Sequence, residues 1–103
     1  MEKFIAERRL LYAFKGSNLR REFVICMSAP YSVQQSTVNF TIGKDGIWAC
    51  QIQIKGMDEA HHEIYGADAL QAIELASSSV EPFLRRLYKK YDLFYPSGDP
   101  YFG

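Results

Sequence analysis

Long apolar runs, a surplus of charge of either sign, and cysteine are all scarce in this 103-residue chain. No apolar stretch approaches the ~20 residues of a membrane-spanning helix, so no membrane partner is expected. Lys plus Arg and Asp plus Glu each number 12. That balance argues against direct nucleic-acid binding, which favours a basic surface. The opening stretch, Met1 to Leu11, carries acids and no continuous apolar core, so a signal peptide is not expected and cytoplasmic residence is. No P-loop, GxGxxG, HExxH or CxxC pattern occurs. The expectation is therefore a non-enzyme with no cofactor and no metal.

The two cysteines, Cys26 and Cys50, both lie in strand-like apolar segments. Buried free thiols are the expected state. A disulfide needs neighbouring strands and is disfavoured in a reducing compartment. A catalytic thiol would need an activating base, and no nearby residue supplies one.

What is present is one domain, 1–103, built around the stretch from Gly66 to Asp92. Leu70, Ile73, Ser77, Val80, Leu84, Leu87 and Tyr91 recur at three- and four-residue steps, with Ala69 and Ala76 beside them, the spacing of a helix with one buried face. Asp68 suits the N-terminal end as a cap, and Arg85, Arg86, Lys89 and Lys90 suit the other end. Pro82 leaves two arrangements open, one kinked helix or two helices. It falls on the polar side and the apolar stripe keeps its phase across it, which favours one kinked helix.

Ahead of the helix the chain reads as strands. Phe4 to Phe14 alternates, with Phe4, Ala6, Leu10, Tyr12 and Phe14 on the buried side and Arg8 as the exception. Arg21 to Ser28 is apolar on both faces and reads as an interior strand, ended by Pro30. Thr37 to Ile42 alternates again, and Gly43–Gly46 would turn it back into a strand carrying Trp48, Cys50, Ile52 and Ile54 inward. His61 to Tyr65 is a candidate short strand. The fold class is thus α+β: an antiparallel sheet of three to five strands with one long C-terminal helix packed on one face. Residues 93–103 form an irregular aromatic tail, some of whose rings should fold back on the domain, with a partner-binding tail as the alternative.

Chemistry is thin. His61 and Glu63, two apart on a strand, would share a face and could make an acid/base pair, whereas the adjacent His61 and His62 would point apart. A solvated histidine beside a surface acid accounts for the same residues. Charge segregation is more informative. From Gly56 to Leu84 there is no Lys or Arg, but six acids: Asp58, Glu59, Glu63, Asp68, Glu74 and Glu81. Either this is an ordinary solvated face or it is an acidic docking surface for a basic partner. The candidate partner-binding set is Asp58, Glu59, Glu63, Tyr65, Glu74, Glu81, Tyr95 and Tyr101.

The run Gly66-Ala67-Asp68-Ala69-Leu70-Gln71-Ala72-Ile73, with Ala6-Glu7-Arg8-Arg9-Leu10 and Trp48-Ala49-Cys50 upstream, resembles small bacterial domains of otherwise unknown function. Those domains run strand, strand, strand, helix. Some proteins of this look are immunity proteins encoded beside contact-dependent growth-inhibition toxins. The resemblance implies a stoichiometric inhibitor that covers the active site of a cognate toxin domain, with a basic nuclease as the expected type. A non-enzymatic adaptor or homo-oligomeric module is the alternative.

Overall fold

The computed structural model describes residues 4–59 and 61–103. Six strands and one helix follow in the order β1 (Phe4–Phe14), β2 (Arg21–Ser28), β3 (Tyr31–Ser32), β4 (Trp48–Lys55), β5 (His62–Gly66), α1 (Ala69–Tyr88) and β6 (Tyr91–Phe94). All strand pairings are antiparallel. The expected α+β architecture is what forms, with six strands where three to five were expected.

The registers fix the sheet. Ile52 of β4 pairs with Met27 of β2 on one side and with His62 of β5 on the other. Ala49 likewise lies between Tyr31 of β3 and Tyr65 of β5. So β3 continues the line of β2 past Pro30, and both run along the same edge of β4. On the far side of β2 come β1 and then β6. β2 is interior, as its two apolar faces required.

Alternation assigns each residue to a face. Leu10 and Tyr12, Phe23 and Ile25, Cys50, Ile52 and Ile54, and Leu93 share the face beneath α1 and form the core with it. Arg9, Glu22, Val24, Cys26, Gln51, Gln53, Glu63 and Tyr65 share the other face, which no helix covers. Cys26 and Cys50 are both buried and free, and they sit on opposite faces, so no disulfide can join them. Burial pushes both thiols up from their ordinary value.

The helix starts where Asp68 places it. The Gln71 amide donates to Asp68 Oδ1 at 2.7 Å, and Gln71 Oε1 accepts the Ala67 amide at 2.6 Å. This is a capping box displaced by one residue. It gives the Asp-x-x-Gln pair a structural role. Gly66 is required for a different reason. A Cβ there would lie 2.5 Å from the Ala72 nitrogen, so glycine lets α1 approach β5 closely. Pro82 lies inside one continuous helix. The carbonyl it leaves without a donor belongs to Ser78, which is exposed, as is Pro82, so water can take that bond.

Several expectations are corrected. The Thr37–Ile42 strand and its hairpin do not form: Gln35–Thr37 is a 3₁₀ turn and residues 38–47 are irregular. The edges of β4 are already taken by β2, β3 and β5, and the Gln35 side chain holds the loop instead, donating to Phe40 O at 2.7 Å and accepting the Ile42 amide at 2.8 Å. On the helix, Leu70 is 67% exposed and Ser77 is exposed. The buried stripe is turned toward Ala72, Ala76, Phe83, Leu84 and Leu87, because two alanines and Gly66 make the closest seam. In β1 a register shift between Phe4 and Ala6 moves Phe4 to the uncovered face, where Lys55 Nζ lies 4.5 Å from its ring centre. At the other end of β1, Phe14 is exposed and stacks on Tyr91 at 5.2 Å.

The helix stops at Tyr88, so Tyr91 of the expected helical stripe lies in β6, as do Leu93 and Phe94 of the expected irregular tail, because β1 offers its free edge to them. The rest of the aromatic tail folds back, as expected. Tyr95 N–H donates to Asp99 O and Phe94 bridges Pro100, closing a turn at Gly98, whose φ is +98°. Phe102 then packs on Tyr88 at 4.9 Å. The stretch 56–60 reads in the sequence as a loop, and its Ala60 end lies outside the described residues.

Candidate functional site

The uncovered sheet face holds a hydrogen-bonded cluster around Glu63. Glu63 and Tyr65 lie two apart on β5 and so share that face. Tyr31 reaches it from β3, two strands away, because Tyr31, Ala49 and Tyr65 stand in one cross-strand row. Tyr31 OH donates to Glu63 Oε2, and Tyr65 OH donates to Glu63 Oε1 at 2.5 Å. Both carboxylate oxygens are thus fixed by phenols. Phe40 closes the cluster, edge-on to Tyr65 at 5.4 Å, delivered by the loop that Gln35 clamps.

The electrostatics follow from this geometry. Burial, then the hydrogen bond to Glu63, pushes the Tyr31 phenol far above its ordinary value. For Tyr65 the hydrogen bond to Glu63 is the main cause of a rise, with burial second. Both rings stay neutral donors at physiological pH. Glu63 itself is exposed. A carboxylate held in place by two donors, rimmed by three aromatic rings and open to solvent can receive a cationic side chain without having to reorganise.

The other candidate residues are dispersed. Glu81 is on α1 and already paired: Arg8 Nη1 lies 3.3 Å from its Oε1, Arg8 also donates to Tyr101 OH at 2.8 Å, and Tyr101 OH donates to the same Glu81 oxygen. This knot ties tail, helix and β1 beside a cleft of about 180 Å³ floored by Ile25, Met27, Ile52 and Val80. Burial is the main cause of a raised Tyr101 phenol. Tyr95 is half-exposed and stacks on Tyr101 at 5.0 Å. Glu59 lines a second open cleft with His62, Phe83, Arg86 and Lys90. Glu74 and Asp58 are exposed and make no ion pair among the described residues. The acidic stretch is therefore one run in sequence but several separate places in space: Glu63 meets Tyr65 on the sheet face, while Glu81 meets Tyr101, on which Tyr95 stacks, at the tail.

The histidine pair does not assemble as a catalytic group. His61 precedes β5 and is exposed, while His62 faces α1, 5.8 Å from the Phe83 ring. Both oxygens of Glu63 face tyrosines instead. Among the described residues no three His, Cys, Asp or Glu side chains converge as metal ligands would. None of the described helices is long and apolar enough to cross a membrane.

Tyr31 and Phe40 were not foreseen as site residues. The only sequence signal for Tyr31 is its place just after Pro30, where extended chain can resume. For Phe40 there was a contrary signal, since its alternation with Val38 and Ile42 argued for an inward strand position.

A family model described as Domain of unknown function (DUF6968) matches residues 6–89, and the chain belongs to that family. The matched span runs from β1 through the whole of α1 and stops short of β6 and the aromatic tail. No curated protein and no solved structure matches the chain.

Proposed function

We propose that this protein acts by binding another protein rather than by catalysis, as an immunity protein that occludes a cognate contact-dependent growth-inhibition toxin. The supporting observation is the Tyr31–Glu63–Tyr65 cluster on the uncovered sheet face, with Phe40 at its rim. A nuclease toxin binds phosphates through Arg and Lys, and a preset carboxylate among aromatic rings offers such a side chain both a charge partner and a stacking surface. Stable occlusion needs an interface of ~1,600 Å² with a few aromatic anchors near its centre. The open face, with Tyr31, Tyr65 and Phe40 grouped on it, is suited to that centre. Glu81 is less suited, because Arg8 and Tyr101 already occupy it.

The test is co-expression with the toxin domain encoded beside this gene. The expected result is co-purification at one-to-one stoichiometry and survival of the host, both lost when Glu63 is replaced by Lys. Survival without co-purification, or no protection at all by the native chain, would overturn the proposal.

A further inference from the structure

The outer edge of β5 is an open strand edge whose directions can be worked out. The Gln51 N–H donates to Ser28 Oγ at 2.9 Å, so it points toward β2 and away from β5. Gln51 is the register partner of Glu63. In an antiparallel ladder, opposed residues alternate between exchanging both bonds and exchanging none. The Gln51–Glu63 and Ala49–Tyr65 pairs are then the non-bonded ones. Glu63 and Tyr65 therefore direct their N–H and C=O groups outward. The next outward amide in the series, Ala67, is already capped by Gln71 Oε1 at 2.6 Å. None of the backbone groups of Glu63 and Tyr65 has a partner among the described residues. Unpaired edges of this kind template strand addition.

We infer that this edge pairs with β5 of a second copy of the same chain, antiparallel and centred on Ile64. That register sets Glu63 against Tyr65 of the second copy, and Tyr65 against Glu63 of the second copy, so the four outward N–H groups meet four outward C=O groups. It suits the side chains too. On the uncovered face, each Glu63 carboxylate meets a third phenol, the chemistry it already uses twice within its own chain. On the helix-side face, Ile64 meets Ile64 of the second copy, and His62 meets Gly66, so no like charges are opposed. Shifting the centre to Glu63 would set carboxylate against carboxylate, which is unfavourable. Leu75 adds apolar surface. It lies eleven residues, about three helical turns, before Arg86, which lines the cleft with His62 of β5. Leu75 therefore sits on the β5-side flank of α1, 45% exposed. Edge pairing engages Glu63 and Tyr65, which the proposed toxin surface also uses, but it is read as self-association of the chain alone, so its failure and that of toxin binding are distinguishable.

The experiment is amide hydrogen exchange and light scattering on the native chain over about a hundredfold range of concentration. Exchange at Glu63 and Tyr65 should slow as concentration rises, with mass moving toward the dimer, while amides in the middle of α1 stay unchanged. Tyr65→Glu sets like charges across the pair and should weaken dimerisation about tenfold or more. Adding Glu63→Lys to that variant restores opposite charges and should recover it, with circular dichroism confirming that both variants fold. Concentration-independent exchange at both amides would overturn the inference. So would a Tyr65→Glu chain that dimerises like the native one, or edge protection that appears only when a heterologous protein is added.

Discussion

The two faces of the sheet are built from the same strands and do different work. Beneath α1, Leu10, Phe23, Ile25, Cys50, Ile52 and Ile54 meet Ala72, Ala76, Phe83, Leu84 and Leu87 in one apolar cluster. On the other face the same strands present Arg9 paired with Glu22 at 3.0 Å, the glutamines Gln51 and Gln53, and the Tyr31–Glu63–Tyr65 cluster. Strand alternation makes this separation possible. Stability is concentrated on the covered face, so the open face can carry a fixed, solvent-facing carboxylate at little cost to the fold.

The strongest way to break this comparison is at the seam of the covered face. Gly66→Ala puts a methyl 2.5 Å from the Ala72 nitrogen and 2.9 Å from its Cα, both backbone atoms that cannot swing aside. The expected loss is about 3 kcal/mol, read as a lower midpoint in urea unfolding. Next comes a pair on the helix. Leu84 is fully buried, and Leu84→Ala should lose about 2–5 kcal/mol. Leu70→Ala should stay within about 0.5 kcal/mol, because Leu70 faces water. Equal losses at the two positions would mean that α1 is rotated from the orientation described here.

The open face should respond to pH rather than to cavities. Tyr31 and Tyr65 both have raised phenols, so the folded chain keeps protons that the unfolded chain releases. Stability is then fully present below the ordinary tyrosine value of 10.0 and falls as pH rises past it. Melting temperature measured across that range should drop, and Tyr31→Phe should flatten the drop. The smallest effect is expected at the tail knot. Arg8 and Glu81 are half-exposed, so Arg8→Ala should cost less than about 1 kcal/mol while loosening Tyr101, seen as faster exchange at its amide.

Much of this was legible in the sequence, for local reasons. The interior position of β2 follows from apolar residues on both faces, and the helix start follows from Asp68. The seam was not legible. Leucine at 70 looks more core-like than alanine at 72, and only the approach allowed by Gly66 reverses that order. Nor was the missing hairpin, since Thr37 to Ile42 has a strand's alternation but no free edge of β4 to join. The site was half legible. Glu63 and Tyr65 share a face by their spacing alone. Tyr31 joins them only because β3 and β5 flank the same residue, Ala49, and which edges β4 offers is decided by the whole sheet. The acidic run misled for the reverse reason. It is continuous in the chain, but the strand, the loop and the helix carry its members to different surfaces.

The most direct measurement of the proposed inhibition is protection by the chain carrying Tyr31→Phe and Glu63→Lys together, against the cognate toxin domain that the proposal requires. Both substitutions lie on the open face and leave the apolar cluster untouched. The expected result is a melting temperature at neutral pH close to that of the native chain and complete loss of protection and co-purification. Undiminished protection by that folded variant would contradict the assignment of recognition to the open face.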